Sequence, residues 1–394
     1  MIRAAPDAAA TNFPGLLFRS MLPTLAAFLL CLFAPPAGAV AVAGVAGLAA
    51  CFVRRRSADY DPGMPEKRLF FTGAFFVLIW CLAAAAHWSL PTRAFAGLAA
   101  LLLIYPMHRA CRSAAFDEGG IWWGLAGACV AAAIAAAAAL ATSGPFLSPD
   151  ARWWGNIAFA LGVTTLAGLD YCAGRTGRLA LLAAAVVGMM AGLVAGSWGA
   201  WLALPIVFTI WFLQLPGRLS RRFRWASLLA ILIGVEIILL LDGTGTLARF
   251  RWLVLQANVW WHSGGQAGLF GIVLHDWSVA LAAFAADPLV GAGNAGRIAD
   301  LNQYVLTLRG SGLVGGLALA LLIGVPAHAF ARAGRHRNPA VQRIGRAGLL
   351  LVTTYGMIGL LQPVFAADRM LVFYAVAVTV LYAALCQPRA AAVA

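Results

Sequence analysis

Short clusters of arginine divide the chain into long apolar runs, and this alternation is its most constraining feature. A membrane-spanning helix needs about 20 predominantly apolar residues. Of the 394 residues, 62% are hydrophobic and only 11% are charged, whereas about a quarter of a soluble domain is charged. A water-soluble enzyme is therefore excluded, and the sequence predicts an all-α polytopic membrane protein with about twelve transmembrane helices.

Several of the apolar runs are short, and several are rich in Ala and Gly. Small residues let helices approach closely in lipid, where no hydrophobic force drives their association. The predicted spans cover residues 20–35, 37–53, 69–88, 94–107, 121–142, 153–172, 178–195, 199–214, 225–241, 312–331, 347–366 and 370–387. The predicted regions are nine transmembrane helices in 1–241, an external loop with short helices in 242–311, and three transmembrane helices in 312–394.

The arginine clusters predict the orientation of the chain. With the N-terminus in the cytoplasm, 21 of the 28 basic residues fall on the cytoplasmic side, as the positive-inside rule requires. Both termini are then cytoplasmic and the long loop is extracytoplasmic. The net charge of +14 thus reflects topology, and no nucleic-acid partner is expected. Residues 37–39 also resemble a signal cleavage site, whose use would leave the remaining topology unchanged.

The sequence contains no recognisable metal or nucleotide motif. The seven cysteines have no CxxC spacing and are interpreted as small buried hydrophobes. Asp59-Tyr60-Asp61 imitates a metal-binding DxD pattern, but it has no acidic partner nearby and is expected in a solvated cytoplasmic loop. We therefore predict no metal site and no cofactor.

The predicted external loop, 242–311, has helical stretches of its own. The segment ARFRWLVLQANVWW (248–261) suits an interfacial helix lying on the membrane. Asp276 is expected to cap a short helix, WSVALAAFAA, and Asp287-Pro288 starts a turn followed by LVGAGNAG. Asp300 is expected to cap a second helix, LNQYVLTL, that leads into the tenth span.

The segments DPLVGAGNAG and LNQYVLTLRGSGLVGG resemble the end of the external loop in bacterial O-antigen ligases and O-antigen polymerases. That family carries a PLLGxG turn, an HNxYL helix start and a glycine step into the next span. Asn302 and Tyr304 match the second motif, and Gly312 and Gly315 match the third. GSWGAWLALP (196–205) resembles the family's SRGAWLAL. The number of spans and the position of the long loop also resemble the family.

The resemblance implies a GT-C-like fold in the bacterial inner membrane and a metal-independent glycosyltransferase. Such an enzyme moves a glycan from a polyprenyl diphosphate to a sugar hydroxyl on the periplasmic side. Its partners would be that donor, a lipid A-core or growing glycan acceptor, and membrane lipids. Leu301 replaces the family's expected catalytic His, however, and Trp198 replaces its Arg. A ligase, a polymerase-like relative, a repurposed transferase and an inactive scaffold all remain open.

The residues predicted for this chemistry carry cations or hydrogen-bonding groups in the external segments. Arginine clamps a leaving diphosphate through its planar fork. The predicted catalytic residues are His275, Arg297 and Arg309, and the predicted substrate-binding residues are Arg249, Arg251, Asn302, Tyr304 and Arg369. His262 is the other candidate for the missing His. A helix cap for Asn302 and an interfacial anchor for Tyr304 explain these residues equally well. For Arg369, an ion pair with the adjacent Asp368 or a helix-end anchor is an equal explanation.

A transporter or flippase for a lipid-linked or small solute is the alternative from a different functional class. It would depend on charged residues inside the membrane, and Glu236, in the ninth predicted span, is the main candidate. A structural ion pair explains Glu236 as well. Asp170, near the inner end of the sixth span, is interpreted as interfacial.

Overall fold

A computed structural model gives the architecture of the chain. It describes residues 24–29, 33, 35–38, 41–42, 66–86, 95–113, 118–143, 149–172, 174–214, 225, 228–229, 231–236, 246–265, 267–293 and 302–386. Within these residues all regular secondary structure is helical, and no strand occurs. The predicted all-α fold is confirmed at this level.

Twelve helices have both ends within the described residues. They are α1 (Glu66–Ala86), α2 (Phe95–Leu102), α3 (Ile104–Ser113), α4 (Glu118–Ser143), α5 (Pro149–Leu166), α6 (Arg175–Val194), α7 (Trp198–Gln214), α8 (Thr246–His262), α9 (Gly268–Ala286), α10 (Gln303–Ala333), α11 (Pro339–Gly359) and α12 (Asp368–Leu385). These are not the twelve predicted spans, because α8 and α9 belong to the predicted loop and α2 and α3 share one span.

Five described helices, α1, α4, α6, α10 and α12, are long and apolar enough to cross a membrane. Helix α7 and residues Gly271–Ala286 of α9 are apolar but shorter. The chain is therefore a helical membrane protein, and the total of twelve spans stays a prediction. The first two predicted spans lie largely outside the described residues, and the ninth is described only in part, including the helical residues 231–236.

Some helix ends differ by several residues from the ends of the predicted spans. The sixth span was predicted to end at residue 172, but α5 ends at Leu166 and a turn follows. Helix α11 begins at Pro339, where Asn338 caps it, rather than at residue 347. It ends at Gly359 rather than at residue 366, because the turn 360–367 contains Pro363, which cannot continue a helix.

Small residues bring neighbouring helix backbones into direct contact, as their abundance predicts. A Cβ atom at Gly162 of α5 would lie 2.6 Å from the Ala185 carbonyl oxygen of α6, and one at Gly192 would lie 2.8 Å from the Gly155 oxygen. Only glycine fits at this distance, so the α5–α6 pair is held by close backbone packing rather than by large side chains. Helix α12 is buried from Met370 onwards and forms part of the centre of the bundle.

Helix α10 is broken at Gly312, whose φ of 61° and ψ of −158° are not helical. Helices α10 and α11 touch at both ends, where Gly334 meets Gly345 and Gln303 meets Gly359. The α11 stretch between these contacts is only about 21 Å long, whereas a straight helix from 303 to 334 would be about 46 Å long. Residues 303–311 therefore run across the end of the bundle, and residues 313–333 form the spanning part.

Ion pairs join the helices at the opposite end of the bundle, which we call the arginine end. Arg343 of α11 binds Glu118 of α4 through two bonds, Nε to Oε1 at 2.7 Å and Nη2 to Oε2 at 3.0 Å. Arg346 lies 3.8 Å from Asp170, in the turn after α5. Helices α4, α5 and α11 are thus tied together there, and Asp170 has a structural partner.

Candidate functional site at the network end

Three polar side chains from distant parts of the sequence form a closed set of hydrogen bonds at the other end of the bundle. Asn156 donates from Nδ2 to Gln362 Oε1 at 2.6 Å, and Ser197 donates from Oγ to Asn156 Oδ1. Gln362 donates from Nε2 to Ser197 Oγ at 3.4 Å. We call this set the polar triangle and this end of the bundle the network end.

Local chain geometry positions the members of the polar triangle. Gly196, with a φ of 74°, turns the chain between α6 and α7, a conformation that favours glycine. Ser197 follows, and its Oγ accepts the Ala200 backbone N–H at 3.1 Å, which caps the start of α7. Asn156 and Ser197 are fully buried, whereas Gln362 is half-buried. Any ligand of the polar triangle must therefore approach from the Gln362 side.

Gln303 connects the start of α10 to the same turn that carries Gln362. Its Oε1 accepts the Phe365 backbone N–H at 2.8 Å, and its Nε2 donates to Thr307 Oγ1 at 3.1 Å. Gln303 is fully buried. The segments around Ser197 and Asn302, which carry two of the motifs quoted above, are thus joined through the turn 360–367.

Asn302 and Tyr304 both lie at the network end and both have protein partners. Asn302 Oδ1 accepts the Val305 backbone N–H at 2.8 Å, so this side chain is the N-cap of α10. Tyr304 donates its hydroxyl to the Gly356 carbonyl oxygen at 2.8 Å. The capping interpretation of Asn302 is confirmed, and Tyr304 fixes residues 303–311 to the end of α11.

Residues 287–293, which we call the docked turn, pack against the break in α10. The Leu313 N–H donates to the Pro288 oxygen at 2.8 Å, and the Ala292 N–H donates to the Arg309 oxygen at 2.7 Å. A Cβ at Gly291 would lie 2.5 Å from the Gly312 nitrogen. The docked turn thus satisfies backbone groups that the break releases, and the glycines allow this contact.

Two predicted arginines lie at the network end. Arg309 follows the cap of α10 by two turns, and its half-buried guanidinium has an Nε atom shielded from solvent. Arg369, at the start of α12, is half-buried and places its guanidinium carbon 5.0 Å from the centre of the Trp154 ring. This cation–π contact with α5 supports the anchoring interpretation of Arg369.

The other predicted residues are not gathered at the polar triangle. Arg251 and His275 are exposed on α8 and α9. Arg249 lies on α8, but its side chain is outside the described part of the structure, and Arg297 lies wholly outside it. His262 pairs its Nδ1 with the Asn258 oxygen at 2.9 Å, one turn back on α8. The structure therefore groups Asn302, Tyr304, Arg309 and Arg369 and leaves the rest of the set apart.

Two helix caps were predicted within the loop, at Asp276 and Asp300. Asp276 does not cap a short helix, because α9 begins at Gly268 and contains Asp276 in its middle. Asp300 and Leu301 lie outside the described residues, and the cap of α10 is Asn302. Glu236 is exposed on its helical segment.

Sequence reasoning missed Asn156, Ser197, Gln303 and Gln362. A signal for two of them was present, because Asn156 and Gln362 are polar residues inside predicted apolar spans. Polar side chains at such positions are costly in lipid and mark either packing contacts or a site. Ser197 and Gln303 lie inside the quoted motifs, but only the residues that match the family were predicted as site residues.

The network end offers amide and hydroxyl groups together with cations. Amides and hydroxyls both donate and accept hydrogen bonds, which suits a sugar, whereas guanidinium groups suit phosphate oxygens. In the part of the chain that the structure describes, no group of three or more His, Cys, Asp or Glu residues is placed to hold a metal ion.

Comparison with known proteins identifies no family for this chain. No family model matches it, and no curated protein matches it significantly. The resemblance to O-antigen ligases and polymerases therefore depends on the quoted residues and on the order of the predicted spans.

Proposed function

We propose that the chain is an inner-membrane glycan transferase that works at the network end. It would move a glycan from a polyprenyl diphosphate to a sugar hydroxyl of a lipid A-core or a growing glycan. The main support for this proposal is that motif segments distant in the sequence lie next to one another in the fold. Ser197 and Gln303 are linked through Gln362 and Phe365 of one turn, and the docked turn packs on the same helix as Gln303.

We assign the orientation of this site from the arginine end. Arg332 in the last turn of α10 and Arg335 and Arg337 after it are exposed, and arginines beside the ends of spans favour the cytoplasm. The network end then faces the periplasm. A glycan carried on a polyprenyl diphosphate on that side of the membrane would meet Arg309 and Arg369 at the membrane boundary.

The reaction makes three demands on the protein. The bond between the anomeric carbon and the diphosphate oxygen breaks, and the acceptor oxygen forms a new bond to that carbon. The diphosphate leaves with the electron pair, and Arg309 is the cation we assign to stabilise its charge. The acceptor hydroxyl loses its proton to a base, and the predicted base, His275, would have to reach the acceptor from its exposed position on α9, apart from the polar triangle. Gln362 is placed to orient a sugar hydroxyl by hydrogen bonding.

A gel of surface polysaccharides from a deletion strain tests the proposed class of reaction. Loss of all capped lipopolysaccharide indicates a ligase, and a product with a single repeat indicates a polymerase. An unchanged polysaccharide profile with an intact set of other glycans would contradict the proposal and support an inactive scaffold.

Single substitutions then test the assigned arginine. Arg309→Ala should abolish glycan transfer without lowering the amount of protein in the membrane, and Arg309→Lys should restore part of it because the charge returns without the planar fork. Arg337→Ala removes an exposed arginine at the arginine end and serves as the matched control. Full transfer by Arg309→Ala would remove this residue from the mechanism. The same substitution at Arg297 tests its predicted role.

One feature of the fold favours a transporter as the second candidate. Transporter binding sites commonly include broken helices, and α10 is broken at Gly312, near the end of its spanning part and beside the docked turn. A transporter for a lipid-linked glycan predicts that the deletion strain accumulates this precursor on the cytoplasmic face. A transferase predicts accumulation on the periplasmic face. Glu236→Gln should leave a transferase fully active.

A further inference from the structure

Helices α8 and α9 present large apolar side chains to their surroundings instead of to the bundle. On α8, Val254 is 68% exposed and Trp261 is 75% exposed, and on α9, Ile272 is 61% exposed. The exposed set also includes Trp252, Leu255, Val259, Leu274, Val279 and Leu281. A surface of this kind is unusual in water and marks contact with a membrane or a protein.

The second half of α9 lies at the level of the bundle end. Trp277 and Ala280 pack against Val305 and Leu306, in the part of α10 that runs across the network end. The docked turn continues this contact as far as Leu313. Helix α9 is therefore held near the membrane boundary on the predicted periplasmic side, and it does not stand free of the bundle.

The apolar surface of the loop is continuous with that of the spanning helix. Leu289 and Val290 of the docked turn are 62% and 43% exposed, and Leu313 and Leu317 of α10 are 52% and 56% exposed. The Val314 N–H bonds to the Leu289 oxygen, which brings the two sets side by side. The side chains of Leu313 and Leu317 belong to a segment that spans the membrane, so their neighbours lie at the edge of the lipid.

We infer that the α8–α9 hairpin is embedded in the outer boundary of the bilayer and binds lipid along its apolar surface. The occupant is the surrounding bilayer, because the exposed Leu289 and Val290, which follow α9, lie beside the exposed Leu313 and Leu317 of the spanning part of α10. Arg251, which is exposed, reaches the headgroups from this position, as long cationic side chains do at membrane interfaces. This inference does not depend on glycan transfer.

Depth-dependent fluorescence quenching tests the inference in vesicles of phosphatidylcholine and phosphatidylglycerol. Val254→Cys and Leu281→Cys each receive a fluorescent label, and the signal of the identically labelled parent chain is subtracted. Nitroxides are placed either near the glycerol end or near the acyl terminus of the lipid. Both sites should be quenched at least about twofold more by the shallow nitroxide, because an interfacial helix lies about 5–10 Å below the surface.

Two controls bracket the expected result. Leu321→Cys lies on the spanning part of α10, about 13 Å from Gly312, and should respond more strongly to the deep nitroxide. Arg337→Cys lies in the exposed loop at the arginine end and should respond weakly to both. If Val254→Cys and Leu281→Cys behave like Arg337→Cys, the hairpin is outside the lipid and the inference is overturned. If Val254→Cys or Leu281→Cys instead cross-links two copies of the chain, a second copy covers the apolar surface and the inference is also overturned.

Discussion

At the arginine end, Glu118 and Arg343 hold α4 and α11 together through a charged, bidentate contact. At the network end, Asn156, Ser197 and Gln362 hold α5, α7 and the turn before α12 together through neutral hydrogen bonds. Ion pairs tolerate partial contact with water and headgroups, whereas a fully buried charge is very costly. The neutral contacts thus lie where Asn156 and Ser197 are fully buried, and the bidentate ion pair lies where both partners keep some exposure.

The contrast also bears on where substrate binding is possible. A carboxylate beside Arg309 or Arg369 would compete with an anionic ligand for the guanidinium group. The hydrogen bonds of the polar triangle and of Gln303 use amides, hydroxyls and backbone groups, so these contacts hold helices in place without a carboxylate of their own. The arginine end, by contrast, satisfies Arg343 and Arg346 with protein carboxylates, and we assign it a structural role.

The largest effect is expected from a substitution at Gly312, which disrupts the backbone contact between the docked turn and the break in α10. Gly312 has a φ and ψ that only glycine adopts readily, and an added Cβ would lie 2.3 Å from the Leu289 oxygen. Gly312→Ala should lower the free energy of unfolding by about 4 kcal/mol, from backbone strain together with overpacking. Unfolding in mixed micelles followed by circular dichroism measures the change. Proteolysis should also cut the docked turn faster.

The matched control for this substitution lies further along the same helix. A Cβ at Gly324 would meet no heavy atom within 4 Å, and its position in the helix favours alanine over glycine by about 1 kcal/mol or less. Gly324→Ala should therefore be neutral or slightly stabilising. Equal destabilisation by both substitutions would show that α10 tolerates no change in general and that the break has no special role.

The second effect in size tests the charged end. Glu118→Gln leaves Arg343 with a neutral partner, and both side chains are mostly buried, with relative exposures of 18% and 13%. Loss of one member of a fully buried pair costs about 3–5 kcal/mol, so a partly solvated pair should cost about 2 kcal/mol. Unfolding in mixed micelles reports the loss. Arg337→Gln, in the exposed loop, should stay within about 0.5 kcal/mol of the parent protein.

The membrane fold and several local features were predictable from the sequence, because they depend on neighbouring residues. Apolar runs predicted helices, five of which are long and apolar enough to cross a membrane, and the predicted tenth span begins at Gly312, where α10 is broken. The capping interpretation of Asn302 was one of two alternatives, and the structure confirms it. The Asp276 cap was wrong because the helix already begins at Gly268, so Asp276 has no free helix N-terminus to cap.

The polar triangle was not predictable, because its three members come from three separate helices or turns. Asn156 lies within α5, Ser197 between α6 and α7, and Gln362 after α11. Their contact requires the order in which the helices pack, which apolar runs do not specify. The grouping of the predicted arginines also depends on how the helices pack. The structure brings Arg309 and Arg369 to the network end and leaves Arg251 exposed on α8.

A smaller effect tests the neutral end directly. Ser197→Ala removes the hydroxyl that both caps α7 and joins the other two members of the polar triangle. Loss of buried hydrogen bonds and a cap should cost about 1.5 kcal/mol. Ser278→Ala removes an exposed hydroxyl on α9, which bonds only locally to His275, and should have no measurable effect. If Ser197→Ala is equally neutral, the polar triangle does not stabilise the network end.

The smallest effect is expected from removing a helix cap, and the two ends can be compared because each has an Asn cap. Asn302 caps α10 while almost fully buried, at 6% exposure, and Asn338 caps α11 in an exposed turn. Asn302→Ala should cost about 1 kcal/mol and Asn338→Ala about half as much, since water replaces a lost cap where it has access. Unfolding of the two variants under one condition measures the difference. Equal losses in the free energy of unfolding would mean that burial does not affect the strength of the two caps. The two ends would then differ only in whether their contacts use charged or neutral side chains.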